Sequence, residues 1–127
     1  MTEWNVNPKD NVNGLKFGMD RESVRERLGA PVKEFKKSKY SKNTTDDYGG
    51  FHVFYDAENN FEAVEIFEGT VSVEGTVLFP GTLQNILDYD ESFEREDDGC
   101  TSVKLEIGVY APDNCTESIL IGCEGYY

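Results

Sequence analysis

The stretch Phe51–Gly69, FHVFYDAENNFEAVEIFEG, decides how the rest of the chain is read. Two β-rich runs flank DAENN, which is the pattern of a hairpin. By the period of two, Phe51, Val53 and Tyr55 share one face, and His52 and Phe54 share the other. Both faces carry apolar groups, which predicts a central place in a sheet. A shift of 55 residues lays this hairpin on VKLEIGVYAPDNCTESILIGC: Tyr55, Glu58, Asn59, Glu62, Val64 and Ile66 fall on Tyr110, Asp113, Asn114, Glu117, Ile119 and Ile121.

A second correspondence lies upstream. In KFGMDRESVRERLGAP, Asp20 caps a helix starting at Arg21, with Val24 and Leu28 on its apolar stripe. Met19 and Val24 can form a hydrophobic staple, and Glu22 can pair with Arg25 on the outside. Gly29 suits the residue after the helix, and Pro31 stops it. A shift of 62 carries Phe17, Asp20 and Val24 onto Phe79, Thr82 and Ile86, so Thr82 caps a second helix with Leu83, Ile86 and Leu87 on its stripe. Two half-repeats follow, residues 14–67 and 71–127, each strand–helix–strand–strand. Neither half buries enough apolar surface alone, so the expected fold is one α+β domain over 1–127. It comprises a single antiparallel sheet with both helices on one face, leaving the opposite face for a ligand or partner. Residues 1–13 read as a loose arm with Trp4 as its one anchor, and NTTDDYGG reads as loop.

Charge is unevenly spread. The 127 residues carry 12 Lys and Arg against 25 Asp and Glu, a formal net charge of −13. Residues 1–45 hold ten of the basic and six of the acidic groups; the remainder hold two and nineteen. The basic segment KEFKKSKYSKN occupies one helix-to-hairpin connection. LDYDESFEREDDG (87–99), with seven carboxylates, occupies the equivalent one. Such a surface repels nucleic acid and anionic membranes and attracts a basic protein. Selection for solubility accounts for the same composition. Asp88, Asp90 and Glu91 sit at a helix C-terminus, where the macrodipole disfavours negative charge, so nothing local favours the run. Its residues Asp88, Tyr89, Asp90, Glu91, Phe93, Glu94, Glu96, Asp97 and Asp98, with His52 and Phe54 on the uncovered face, form the candidate binding set.

Chemistry beyond binding finds little support. An EF-hand loop starting at Asp88 needs Gly at its sixth position and Glu at its twelfth, where this chain has Phe93 and Gly99. Cys100, Cys115 and Cys123 match no zinc spacing, and the sole histidine, His52, stands far upstream. An odd cysteine count without an export signal predicts free thiols in the cytoplasm. No catalytic residues, metal site or cofactor are expected. A small-ligand or metal-binding module, and a structural adaptor, remain open as alternatives.

The segments GLKFGMDRESVRERLGAP, HVFYDAENNFEAVEIF, GTLQNILDYD, DDGCTSVKLEIGVYAP and ESILIGCEGYY resemble small bacterial immunity proteins of polymorphic-toxin and contact-dependent growth inhibition systems. The first is also similar to the repeat of β-lactamase-inhibitor-like and outer-membrane assembly lipoproteins, from which this chain departs in lacking an export signal and a lipidated cysteine. The immunity resemblance implies a non-enzymatic protein that binds a cognate toxin and occludes or locks its active site. It transfers no set of binding residues. A nuclease fits the charge, because it must present a basic cleft to phosphates.

Overall fold

The computed structural model describes residues 3–127. Among these the fold is mostly β, with 45% strand and 12% helix, arranged as two sheets rather than one. The elements are β1 (Glu3–Asn7), β2 (Asn11–Val12), β3 (Leu15–Lys16), α1 (Arg21–Leu28), β4 (Lys33–Phe35), β5 (Thr45–Asp47), β6 (Phe51–Tyr55), β7 (Phe61–Ile66), β8 (Thr70–Val73), β9 (Thr76–Phe79), α2 (Leu83–Tyr89), β10 (Glu94–Glu96), β11 (Gly99–Ser102), β12 (Ile107–Tyr110) and β13 (Ser118–Gly122). A five-stranded sheet runs β3-β2-β1-β8-β9 and an eight-stranded sheet β10-β11-β12-β13-β7-β6-β5-β4.

The expected single antiparallel sheet fails because two segments pair with each other instead of joining it. β1 runs parallel to β8, with Trp4 opposite Val71 and Val6 opposite Val73. Those four side chains are all buried, so residues 3–13 supply a central strand and part of the core, not a loose arm. Met1 and Thr2 lie outside the described residues. The apolar alternation in WNV is only two residues long and set among asparagines, too short to read as a strand. The buried side chains of both sheets and both helices form one continuous cluster.

Each half is also richer than strand–helix–strand–strand. NTTDDYGG contains β5, and the acidic run contains β10 and leads into β11, so each helix is followed by four antiparallel strands. The eight-stranded order is a palindrome under exchange of β4 with β10, β5 with β11, β6 with β12 and β7 with β13. β7 and β13 meet at its centre, with Ile66 opposite Ile119 and Val64 opposite Ile121. The local details repeat too. Arg21 and Leu83 each donate a backbone N–H to the carbonyl of an asparagine, Asn59 and Asn114, and both asparagines have positive φ (63° and 65°). Asp20 caps α1 by accepting from the Ser23 N–H, and Thr82 caps α2 by accepting from the Asn85 N–H. A β-bulge at Phe54/Tyr55 displaces the correspondence by one residue in β6. Consequently Val53, not Phe54, is the counterpart of Val109, and Tyr55 points inward while Tyr110 is exposed.

The two halves differ in what they bury. In the first, Asp46 on β5 has no exposed surface and gathers Arg21, Arg25 and Tyr55. Arg21 Nη2 lies 2.5 Å and Arg25 Nη2 2.6 Å from Oδ1; Arg25 Nε lies 2.9 Å and the Tyr55 hydroxyl 3.0 Å from Oδ2. Arg25 thus turns to Asp46 and Glu34 rather than to Glu22. Burial by itself raises the Asp46 pKa, but the hydrogen bonds from Arg25, Arg21 and Tyr55 outweigh it and hold the group below 3.8. The counterparts of Arg21, Arg25 and Asp46 in the second half are Leu83, Leu87 and Cys100, an apolar solution at the same places. Burial pushes the Cys100 thiol up to about 11, which makes it inert near neutral pH.

Asp46→Ala strands two arginines and is expected to cost about 3–5 kcal/mol in urea unfolding, whereas Cys100→Ala costs about 1–2 kcal/mol. Because the folded-state pKa of Asp46 lies below its ordinary value, its stabilisation is complete above pH 3.8 and declines as pH falls through the lower folded value. The gap between wild type and Asp46→Ala should therefore narrow only in that acid range. A gap unchanged down to pH 2 would show that Asp46 does not carry the charge assigned to it.

Candidate functional site

The face of the eight-stranded sheet turned away from the helices is built from alternate residues of every strand. In the first half this face is filled. His52 packs edge-on against Phe35, Phe54 and Phe67, with ring centroids 5.1, 6.5 and 4.8 Å away. Its Nε2 lies 3.5 Å from Asp47 Oδ1, and the Lys37 ammonium sits 4.5 Å over the Phe54 ring. Phe54 is only 5% exposed. His52 and Phe54, expected as a contact pair on an uncovered surface, lie in an aromatic cluster there in which Phe54 is buried, His52 half-buried and Phe67 exposed.

The second half leaves a hollow at the corresponding place. By strand register Gly108 stands where His52 stands, Gly122 where Phe67 stands, and Glu96 where Phe35 stands. Tyr127 and Tyr126 lie over Gly108 and Gly122, and beside Gly108 there remains a concavity of about 520 Å³. Its floor is Gly99, Gly108, Leu120 and Ser118; its walls are Thr101, Tyr110 and Tyr127; its acidic rim is Glu65, Glu96, Asp97 and Asp98. The segment 125–127 reaches partway over it. The Tyr127 hydroxyl stands directly above the Gly108 Cα, and the Tyr126 ring lies 2.8 Å from where a Cβ at Gly122 would be. Glycine at 108 and 122 therefore permits a close approach that any side chain would block.

The segment is held from below. Glu106, buried in the turn before β12, accepts the backbone N–H groups of Gly125, Tyr126 and Tyr127. Two carboxylates at the rim are positioned by neighbouring hydroxyls. Thr101 donates to Glu96 at 2.5 Å, and Ser118 donates to Glu65 at 2.9 Å. Tyr110 and Tyr127 remain 47% and 44% exposed, so two amphipathic rings flank the carboxylates.

The candidate set from the sequence divides at Phe93. Of the residues before it, Asp88, Tyr89 and Asp90 are bonded within the fold. Asp88 accepts from Gln84 on α2. The Tyr89 hydroxyl bonds Glu74 at 3.0 Å. The Ser92 N–H holds Asp90 below the usual carboxylate range, with Lys104 3.8 Å from its second oxygen. Phe93 is 6% exposed and belongs to the core, not to a contact surface. Glu91 is exposed in the turn that follows α2. Glu94, Glu96, Asp97 and Asp98 are all exposed, on β10 and the turn after it. The sequence reading missed Glu65, Tyr110 and Tyr127. Paired glycines in strand-like segments, at 108 and 122, were the available signal that another segment packs closely on this face.

Among the described residues no group of three or more His, Cys, Asp or Glu side chains is gathered to hold a metal ion. None of their helices is long and apolar enough to cross a membrane.

Glu106→Asn keeps a residue that tolerates the positive φ of 58° at this position but shortens the side chain beyond reach of the segment. Residues 125–127 are then expected to drop below the order parameters of the sheet in ¹⁵N relaxation, with β12 and β13 unchanged. Undiminished order in 125–127 would mean that Glu106 is not their anchor.

Comparison with protein-family models, with curated proteins and with solved structures yields no match to this chain.

Proposed function

We propose that this protein is an immunity-type inhibitor that binds a toxin bearing a basic surface, through the second-half side of its open sheet face. The observation that carries the reading is the concavity in which Glu65, Glu96, Asp97 and Asp98 surround a glycine floor flanked by Tyr110 and Tyr127. Carboxylates at such a rim accelerate encounter with a basic partner, and tyrosines supply contact area at little entropic cost. The resemblance to immunity proteins supports a toxin as that partner. A nuclease is the toxin class whose cleft has the matching charge, since an acidic inhibitor can stand where phosphates would. The role is one of occlusion in the cytoplasm, without catalysis or cofactor.

Binding by carboxylates at 94–98 gives an ordered expectation. Reversal to Lys at Glu94, Glu96 and Asp97 should slow association with the toxin at least about tenfold at low salt and flatten its salt dependence. The same reversal at Asp88 and Glu91, before Phe93, should change little. Co-expression with the product of the adjoining gene should restore growth only with the unreversed chain. Equal kinetics and equal rescue by the triple variant would sink this reading.

A further inference from the structure

Among the described residues, the two ends of the eight-stranded sheet are unpaired edges, and they are treated differently. At the β4 edge, Glu34 is tied to α1 by Arg21 at 3.2 Å and Arg25 at 3.3 Å, and the chain continues into Lys36 and Lys37. Lysines and side-chain ties of this kind discourage further pairing. At the β10 edge, Glu94, Arg95 and Glu96 are all exposed. Among the described residues the Arg95 guanidinium reaches the Asn114 side-chain oxygen, at 3.3 Å, and Glu96 accepts from the Thr101 hydroxyl of the neighbouring strand.

The backbone of β10 is presented outward in a definite register. Ala111 donates its N–H to the Asp98 carbonyl at 2.7 Å, which aims the main-chain groups of Asp98 at β12. Alternation aims those of Gly99 at β10, so Glu96 and Gly99, which are paired across the turn, share hydrogen bonds. The next residue back, Arg95, pairs with Cys100 without them, and its N–H and C=O point away from the sheet. An open donor–acceptor pair thus stands between two glutamates on the outer face.

We infer that β10 is a docking edge which takes an extended strand of the basic partner as a ninth strand, with basic side chains at alternate positions. The two hydrogen bonds to Arg95 set its register. Side chains on its outer face fall beside Glu94 and Glu96, about 7 Å apart along the strand, so Lys or Arg two residues apart meets one carboxylate each. The intervening side chain lies beside Arg95, where a neutral or acidic group is favoured. The line of added basic groups then continues toward Asp97 and Asp98 in the turn after β10, at the near rim of the concavity. A second copy of this chain is disfavoured at the same edge, because β10 against β10 brings glutamates together. This inference rests on the acidic-face reading above and specifies how the partner engages it.

The probe is an acetylated, amidated peptide, Lys-Thr-Lys-Val-Lys-Thr, titrated into the full chain at low salt and followed by amide NMR. Its controls are a peptide of the same composition with the three lysines consecutive, and the alternating peptide with every second backbone amide N-methylated. Shifts centred on Glu94–Glu96 are expected, with the alternating peptide bound at least about fivefold tighter than either control. Arg95→Pro, which removes the outward N–H without breaking the β10–β11 ladder, should weaken the peptide by a similar factor, while Arg95→Gln should not. The N-methylated peptide gives the same test without any variant. If neither N-methylation nor Arg95→Pro weakens binding but Asp97→Lys with Asp98→Lys does, edge docking is overturned while the acidic-face reading stands. If no basic peptide binds, both fall. If sedimentation shows wild type dimeric and Arg95→Pro monomeric, the occupant is a second copy and the inference is wrong.

Discussion

Everything in this molecule depends on the pairing of β7 with β13. Each half offers one short helix and four antiparallel strands, too little to cover its own apolar face. Ile66 against Ile119 and Val64 against Ile121 join the halves about a local two-fold, and all four are buried. That seam makes an eight-stranded sheet whose inner face is wide enough to need a second layer. The two helices cannot supply it. The parallel ladder of β1 on β8 brings Trp4, Val6, Val71 and Val73 into the same cluster and completes the cover. The five-stranded sheet is therefore a consequence of the seam.

Once the frame is duplicated, the copies are free to diverge at equivalent positions. The first half fills one buried site with Asp46, Arg21, Arg25 and Tyr55, and the second fills it with Cys100, Leu83 and Leu87. A buried carboxylate with two guanidiniums gives little net stability over an apolar replacement, but it is costly to break, so it fixes β5 against α1 more than it stabilises the whole. On the outer face the divergence runs the other way. The first half packs rings around His52, and the second has glycine at 108 and 122, over which Tyr127 and Tyr126 lie. Stability needs only one face of such a sheet to be covered. A concavity on the other, bordered by carboxylates beside those tyrosines, is a feature that packing alone does not call for.

The sequence was most legible where short-range rules act. Both helices, their capping residues Asp20 and Thr82, and the two turns at Asn59 and Asn114 follow from local pattern and lie where that pattern puts them. The repeat was legible because the turns repeat. What could not be read was pairing at long range. Trp4 and Val71, paired across β1 and β8, are 67 residues apart in sequence, and nothing in either segment names its partner. Polar composition hid β5 and β10 for two separate reasons. β5 is TDD because Asp46 is neutralised by α1, which makes a carboxylate acceptable inside. β10 is ERE because it is an edge with no interior face to bury. The candidate site was half legible: charge marked residues 94–98 correctly as exposed, but charge cannot separate Asp90, occupied by Ser92 and Lys104, from Asp97, which faces solvent.

The same symmetry gives the charge distribution its meaning. The basic segment and the acidic run are equivalent connections, so the two-fold that relates the halves carries them to opposite ends of one sheet. Lys33, Lys36 and Lys37 stand at or beyond one edge, and Glu94 and Glu96 stand at the other. Eight strands at a spacing of about 4.8 Å separate the edges by more than 30 Å, several Debye lengths at physiological salt. Neither end screens the other across that distance. A basic protein approaching such a surface would be repelled from one side and drawn to the other, which would orient it before contact. Uniform acidity would give attraction without orientation. The opposition of the two edges gives both, and on the proposed reading it would bring the partner to the edge whose backbone groups are open.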